Sequence, residues 1–141
     1  MPGKPTSAQF ADWKERPMKP NNKRQILAVV DDLFFATKIG ETAKRAGVNV
    51  AFATTEEAVL QFAAQRPSLI IVDLNLNAAK PLPLIAKLKN HPDLKGTSIL
   101  AFVSHVQGEL KQKAQKAGCD MVLARSSFSQ NLPQILKRHA E

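Results

Sequence analysis

The sequence predicts an α/β domain: a doubly wound, five-stranded parallel sheet with helices on both faces. Three observations carry that expectation. Five strand-length apolar runs, at 26–30, 48–53, 69–74, 99–103 and 121–124, alternate with helix-type segments at 33–46, 55–65, 81–90, 106–117 and 128–139. The links between them are short, and strand–helix units so joined close into a parallel sheet with helices on both sides. The first, third and fourth runs are apolar without interruption, as strands covered on both faces need to be.

Taken in order, residues 1–24 come first and stand apart from the domain expected over 25–141. They hold four of the nine prolines among mostly polar neighbours, which reads as a flexible arm. Phe10 and Trp13 lie three apart within it, so a short amphipathic turn there is open, clamped on its own domain or docked on a partner, with plain disorder as the alternative. The first run, Ile26-Leu27-Ala28-Val29-Val30, ends in Asp31 and Asp32. Gly47 follows the first helical segment, where a left-handed C-terminal residue is wanted. Thr54 with Glu57 forms a capping-box pattern before the second helix, and Ser127 with Gln130 forms another before the last. Pro67 and Pro92 sit just past helical segments, where the chain changes direction.

Composition narrows the function classes. The 141 residues suffice for one domain with a real core, and 44% hydrophobic with 23% charged residues is ordinary for a globular chain. No apolar run approaches the roughly 18 residues of a membrane span, and the first residues lack a signal-peptide core, so a cytoplasmic location is expected. A single cysteine, Cys119, excludes an internal disulfide and a cysteine-based zinc site; it reads as a small buried apolar residue. Of the net charge of +8, half lies in residues 1–24, where six bases face two acids. Nucleic acid is therefore expected to bind only weakly if at all, through the leader, and any such affinity would fall steeply with salt and disappear on truncation.

In a sheet of this kind sites form at the carboxyl ends of the strands, near the point where strand order reverses. Those ends carry Asp31 and Asp32, then Asp73 with Asn75 two residues on, then Ser104 and His105, then Arg125. Carboxylates held close repel, and a hard divalent cation such as Mg²⁺ relieves the conflict while neutralising phosphoryl charge. On that chemistry Asp31 and Asp32 are metal ligands, Asp73 a nucleophile toward phosphorus, and Ser104 and Arg125 ligands of the phosphoryl oxygens. Each has a plainer reading as well. Acids after a strand cap helices, Ser104 suits a cap, and Arg125 alone suits a surface charge. His105 reads as a cap or surface residue, and His91 and His139 have no paired ligands in sequence.

These residues resemble the receiver domain of response regulators in two-component signalling, over about 25–139. The likeness rests on Val29-Val30-Asp31-Asp32, on Leu69-Ile70-Ile71-Val72-Asp73, on Ser104, and on the stretch from Gly118 to Arg125, 52 positions beyond Asp73. It implies the flavodoxin-like fold, phosphorylation on Asp73, and Mg²⁺ (or Mn²⁺) bound by Asp31, Asp32, Asp73 and the Asn75 backbone carbonyl. It also implies a histidine kinase or phosphotransfer protein upstream and a separate downstream protein or relay partner. A homodimer through the last strands and helices is a further implication. The chain departs from the pattern at Arg125, where the family has lysine, at Ser126 in place of proline, and at Val122 in place of a switching aromatic. Arginine for lysine keeps the charge but replaces a compact ammonium with a planar fork.

Three functions are thus set side by side. The first is a non-enzymatic, phosphoryl-accepting switch. The second is a phosphorylation-independent pseudo-receiver that acts as an interaction module. The third is a Mg²⁺-dependent phosphohydrolase, which would want Asp-x-Asp after the first strand where this chain has Asp31-Asp32-Leu33.

Overall fold

Strand and helix alternate through the domain in the predicted order. The computed structural model describes residues 25–105 and 108–139, with the backbone of a two-rung antiparallel ladder between Gly3–Lys4 and Thr6–Ser7. The rest of the leader, including Phe10 and Trp13, lies outside the described residues. The elements are β1 (Ile26–Val29), α1 (Leu33–Ala46), β2 (Val50–Phe52), α2 (Glu56–Ala63), β3 (Leu69–Asp73) and α3 (Pro81–Lys89). After a 3₁₀ turn at Pro92–Leu94 come β4 (Ser98–Val103), α4 (Gly108–Ala117), β5 (Met121–Ala124) and α5 (Arg125–His139).

The five strands form one parallel sheet in the order β2-β1-β3-β4-β5. Successive side chains of a strand point to opposite faces, so each continuous apolar run feeds two cores at once. Leu27, Val29, Ile70, Val72, Ile99 and Ala101 face one core, shared with Val59, Leu84, Leu88 and Ala114 of α2, α3 and α4. Ile26, Ala28, Leu69, Ile71, Leu100 and Phe102 face the other, shared with Phe35 and Ile39 of α1 and Phe128 and Leu132 of α5. Burying each such Leu, Ile or Phe contributes about 1.5–3 kcal/mol, which is why the central strands tolerate no polar interruption until their ends. Among the described residues no helix is long and apolar enough to cross a membrane.

Helix ends show where local sequence sets the boundary and where the structure departs from the expected cap. Gly47 has φ 70°, and the N–H of Val48 reaches the Ala43 carbonyl at 2.9 Å, closing α1 as expected. Val48 is thereby used in the closure, and the second strand narrows from 48–53 to Val50–Phe52. The cap of α2 is Thr55, whose hydroxyl accepts from the Ala58 N–H at 3.1 Å, and not Thr54. The shift by one places Glu56 and Glu57 in the first turn, where the helix dipole favours acids. The Ser127–Gln130 cap does not form. The last helix begins at Arg125, directly after β5, so Ser127 lies inside it. Helix α4 is described from Gly108; residues 106 and 107 of its expected span lie outside the described residues.

Gly118, between α4 and β5, has φ 124°, and a Cβ there would fall 2.6 Å from the Cβ and Cγ of Lys89. Both the backbone conformation and the close approach exclude a side chain. Gly118→Ala is expected to destabilise the domain by roughly 1–3 kcal/mol, read as a lower urea midpoint at unchanged m-value. An unchanged midpoint would show that the turn relaxes freely.

Candidate functional site at the strand carboxyl ends

Strand order reverses between β1 and β3, and the chain places its acids there. Past β1 the backbone of Asp32 stays extended (φ −80°, ψ 114°), and its Oδ1 accepts from the Phe35 N–H at 3.1 Å, capping α1. The cap uses one carboxylate oxygen and leaves Oδ2 for another partner. Asp31 is exposed, and its Oδ2 accepts from the N–H groups of Asn77 and Ala78 at 3.1 and 3.2 Å. That side chain ties the end of β1 to the loop after β3.

Asp73 is the last residue of β3, and its side chain is 2% exposed. Oδ1 accepts from the Asn75 N–H at 2.8 Å, while Oδ2 faces Arg125 Nη2 at 3.8 Å. Burial is the largest influence on this carboxyl and pushes its pKa above the ordinary value. The Asn75 N–H and the Arg125 guanidinium pull the other way, and the charges of Asp31 and Asp32 add to the rise. The repulsion expected among the three acids is therefore present at Asp73.

Ser104 follows β4 and is exposed. Its N–H and hydroxyl both donate to the Asn75 side-chain Oδ1 at 3.2 Å, so among the described residues Ser104 is held by Asn75. Arg125 opens α5 with its guanidinium carbon 5.0 Å from the Phe35 ring centre and 5.9 Å from that of Phe102. It is far from a simple surface charge: its Nε is buried and, among the described residues, has no hydrogen-bond partner. An open cleft of about 440 Å³ lies in front, lined by Asp32, Phe34, Lys38, Ser104, His105 and Arg125, among others.

The predicted residues thus share one edge, with Asp31 and Asp32 bonded to neighbouring backbone N–H groups and the other four in two pairs linked through the Asn75 N–H. Asp73 joins Arg125, and Asn75 joins Ser104. No group of three or more His, Cys, Asp or Glu among the described residues is arranged to hold a metal ion by itself. Three contributors escaped the sequence reading. The Asn75 side chain gives no sequence signal beyond the backbone carbonyl expected at the metal. The amides of Asn77 and Ala78 leave no trace in composition. Phe35 and Phe102 carry the periodicity of ordinary core residues, with no signal that their rings meet a cation. Away from the edge, His91 Nδ1 accepts from the Asp93 N–H and so belongs to the 3₁₀ turn. Cys119 is buried, its thiol pushed up to about 11 by that burial.

The family model of the response regulator receiver domain matches residues 26–137. No curated protein matches the chain. Among solved structures, a putative response regulator from Chloroflexus aurantiacus is 26% identical with a TM-score of 0.71, covering 82% of this chain and 95% of its own. A response regulator from Burkholderia pseudomallei, with a phosphorylated aspartic acid, calcium ion and citrate, is 25% identical with a TM-score of 0.70. That match covers 80% of this chain and 66% of the other. A chemotaxis response regulator of Vibrio cholerae shares the fold at 23% identity and a TM-score of 0.71, over 82% of this chain and 97% of its own. With the family model spanning most of its length and the acids gathered at the sheet's switch point, this chain belongs to the response regulator receiver domain family.

Proposed function

We propose that this receiver domain accepts a phosphoryl group on Asp73 and passes the signal to a partner protein. The observation that carries the reading is the carboxylate of Asp73. It ends a fully buried strand at the switch point, with Oδ1 fixed by the Asn75 N–H and Oδ2 turned toward a guanidinium. One oxygen is held still and the other faces the cation that would meet incoming negative charge.

In the transfer, Asp73 Oδ2 attacks phosphorus in line, the P–O or P–N bond to the donor breaks, and its electron pair leaves with the donor. Arg125 and the Ser104 hydroxyl hold non-bridging oxygens, which requires Ser104 to turn from Asn75. The residues also fit Mg²⁺ or Mn²⁺. The donors are hard oxygens, from Asp32, Asp73 and the Asn75 backbone carbonyl with Asp31 beside them, and the charges of Asp31 and Asp32 act on Asp73, which faces one guanidinium. When bound, the ion supplies neutralisation of carboxylate and phosphoryl charge. A phosphohistidine of a histidine kinase or phosphotransfer protein is the proposed donor. Leu33 and Phe34, at 80% and 79% exposure beside the site, support a donor that is itself a protein.

One observation favours the second reading, an interaction module that needs no phosphate. Val122, where the family's switching aromatic stands, is buried at 7% exposure and has no ring to turn. Intact-protein mass after incubation with acetyl phosphate and Mg²⁺ separates the two. A single phosphate adduct is expected in wild type, absent in Asp73→Ala and absent when the cation is chelated. Folded wild-type protein that takes up no phosphate, from acetyl phosphate or from phosphorylated donor proteins, would leave the interaction module standing.

A further inference from the structure

Arg125 stands at the first position of α5, where a long side chain 36% exposed is free to lie in water. Hydrogen bonds do not explain why it turns inward. Nη2 is 3.8 Å from Asp73 Oδ2, beyond hydrogen-bond range, and among the described residues the buried Nε has no partner. What the guanidinium does meet is two rings of a packed aromatic cluster. Phe35 and Phe102 meet edge to face at 4.8 Å, Phe128 stacks on Phe102 at 4.6 Å, and all three are buried. The guanidinium lies over Phe35 first and Phe102 second. A planar, weakly hydrated cation is suited to such a surface, and the attraction strengthens as water is excluded.

Phe35 is itself held in place by the acidic edge, because its N–H donates to Asp32 Oδ1. The cap of α1, the ring and the cation form one continuous unit. We propose that Phe35, with Phe102 beside it, is a positioning residue that seats the Arg125 guanidinium against Asp73. This rests on the reading of Asp73 as phosphoryl acceptor. It also ties the arginine to its surroundings. A lysine here would bring a compact, strongly hydrated ammonium to a surface shaped for a plane.

The test uses the full chain with Phe35→Met, which removes the ring and keeps volume, Phe35→Tyr, which restores a ring, and Phe128→Met as a packing control. Adduct formation from acetyl phosphate and Mg²⁺ is expected to slow about tenfold in Phe35→Met. It should recover in Phe35→Tyr and stay within about twofold of wild type in Phe128→Met. A second readout is the Arg125 Nε–H resonance, assigned by its loss in Arg125→Lys. Ring currents should displace it in wild type and Phe35→Tyr, and Phe35→Met should return it to the position of exposed arginines. Equal slowing in Phe35→Met and Phe128→Met, or no change in either, overturns the positioning role. An undisplaced wild-type resonance also overturns it, even if Phe35→Met does not fold. No adduct in wild type would instead overturn the acceptor reading, while the resonance still decides whether the ring seats the arginine.

Discussion

Asp73→Asn is expected to be more stable than wild type by about 2 kcal/mol near neutral pH in the presence of a chelator, although it takes up no phosphate. The Asp73 side chain is nearly sealed from water, and burial raises its pKa with Asp31 and Asp32 adding to the rise. Above its folded pKa, the folded chain therefore holds an ionised group where the charged form is disfavoured. Asparagine keeps an Oδ1 to accept the Asn75 N–H and removes the charge. The pH dependence gives the sign. With its folded pKa above the unfolded value, Asp73 binds more protons in the folded chain, so wild-type stability falls as pH rises through that folded pKa. The advantage of Asp73→Asn is full above the folded pKa and closes as pH falls toward the ordinary carboxylate value. Urea melts of both proteins across that range, with a midpoint gap of about 1 M near neutral pH, measure it. A gap that stays constant with pH would show that the substitution acts through packing and not through charge.

This substitution marks what the sequence could and could not disclose. The fold was legible because burial on two faces leaves a plain mark: β1, β3 and β4 are unbroken apolar runs, and each stops where the chain meets the polar edge. The same stops pointed to Asp31, Asp73 and Ser104. Boundaries set by a single hydrogen bond were not legible. Thr54 and Thr55 stand before two glutamates, and either threonine satisfies the capping pattern by eye. The Arg-Ser-Ser stretch reads as loop composition, yet β5 passes into α5 without one. At the site, residue types were visible and their couplings were not. Asn75 and Ser104 are 29 positions apart, and no local pattern says that an amide oxygen will hold the serine. Phe35 occupies an inward position of an amphipathic helix, where an aromatic is already accounted for by the core.

The second large effect concerns Arg125 and falls on rate more than on stability. Arg125→Ala is expected to slow adduct formation from acetyl phosphate about a hundredfold, as loss of one preorganised cation at a developing oxyanion does elsewhere. The folded state should lose a smaller amount, about 1–2 kcal/mol, because the contacts with the Phe35 and Phe102 rings go together with an attraction to Asp73 that the 36% exposure of the guanidinium partly screens. These two magnitudes separate its roles. In the resting protein Arg125 faces one buried carboxylate, already held by the Asn75 N–H. During transfer the same guanidinium would meet an acyl phosphate that carries more charge and places it farther out toward Arg125. The interaction gains where the phosphoryl group arrives, which is the condition for raising a rate instead of merely stabilising a fold. Arg125→Lys should recover only part of the rate, since charge returns but the plane that rests on Phe35 and Phe102 does not. If Arg125→Ala takes up phosphate at the wild-type rate, the guanidinium is not a phosphoryl ligand. Its place between the rings and Asp73 would then serve only to offset a carboxylate that burial has made costly.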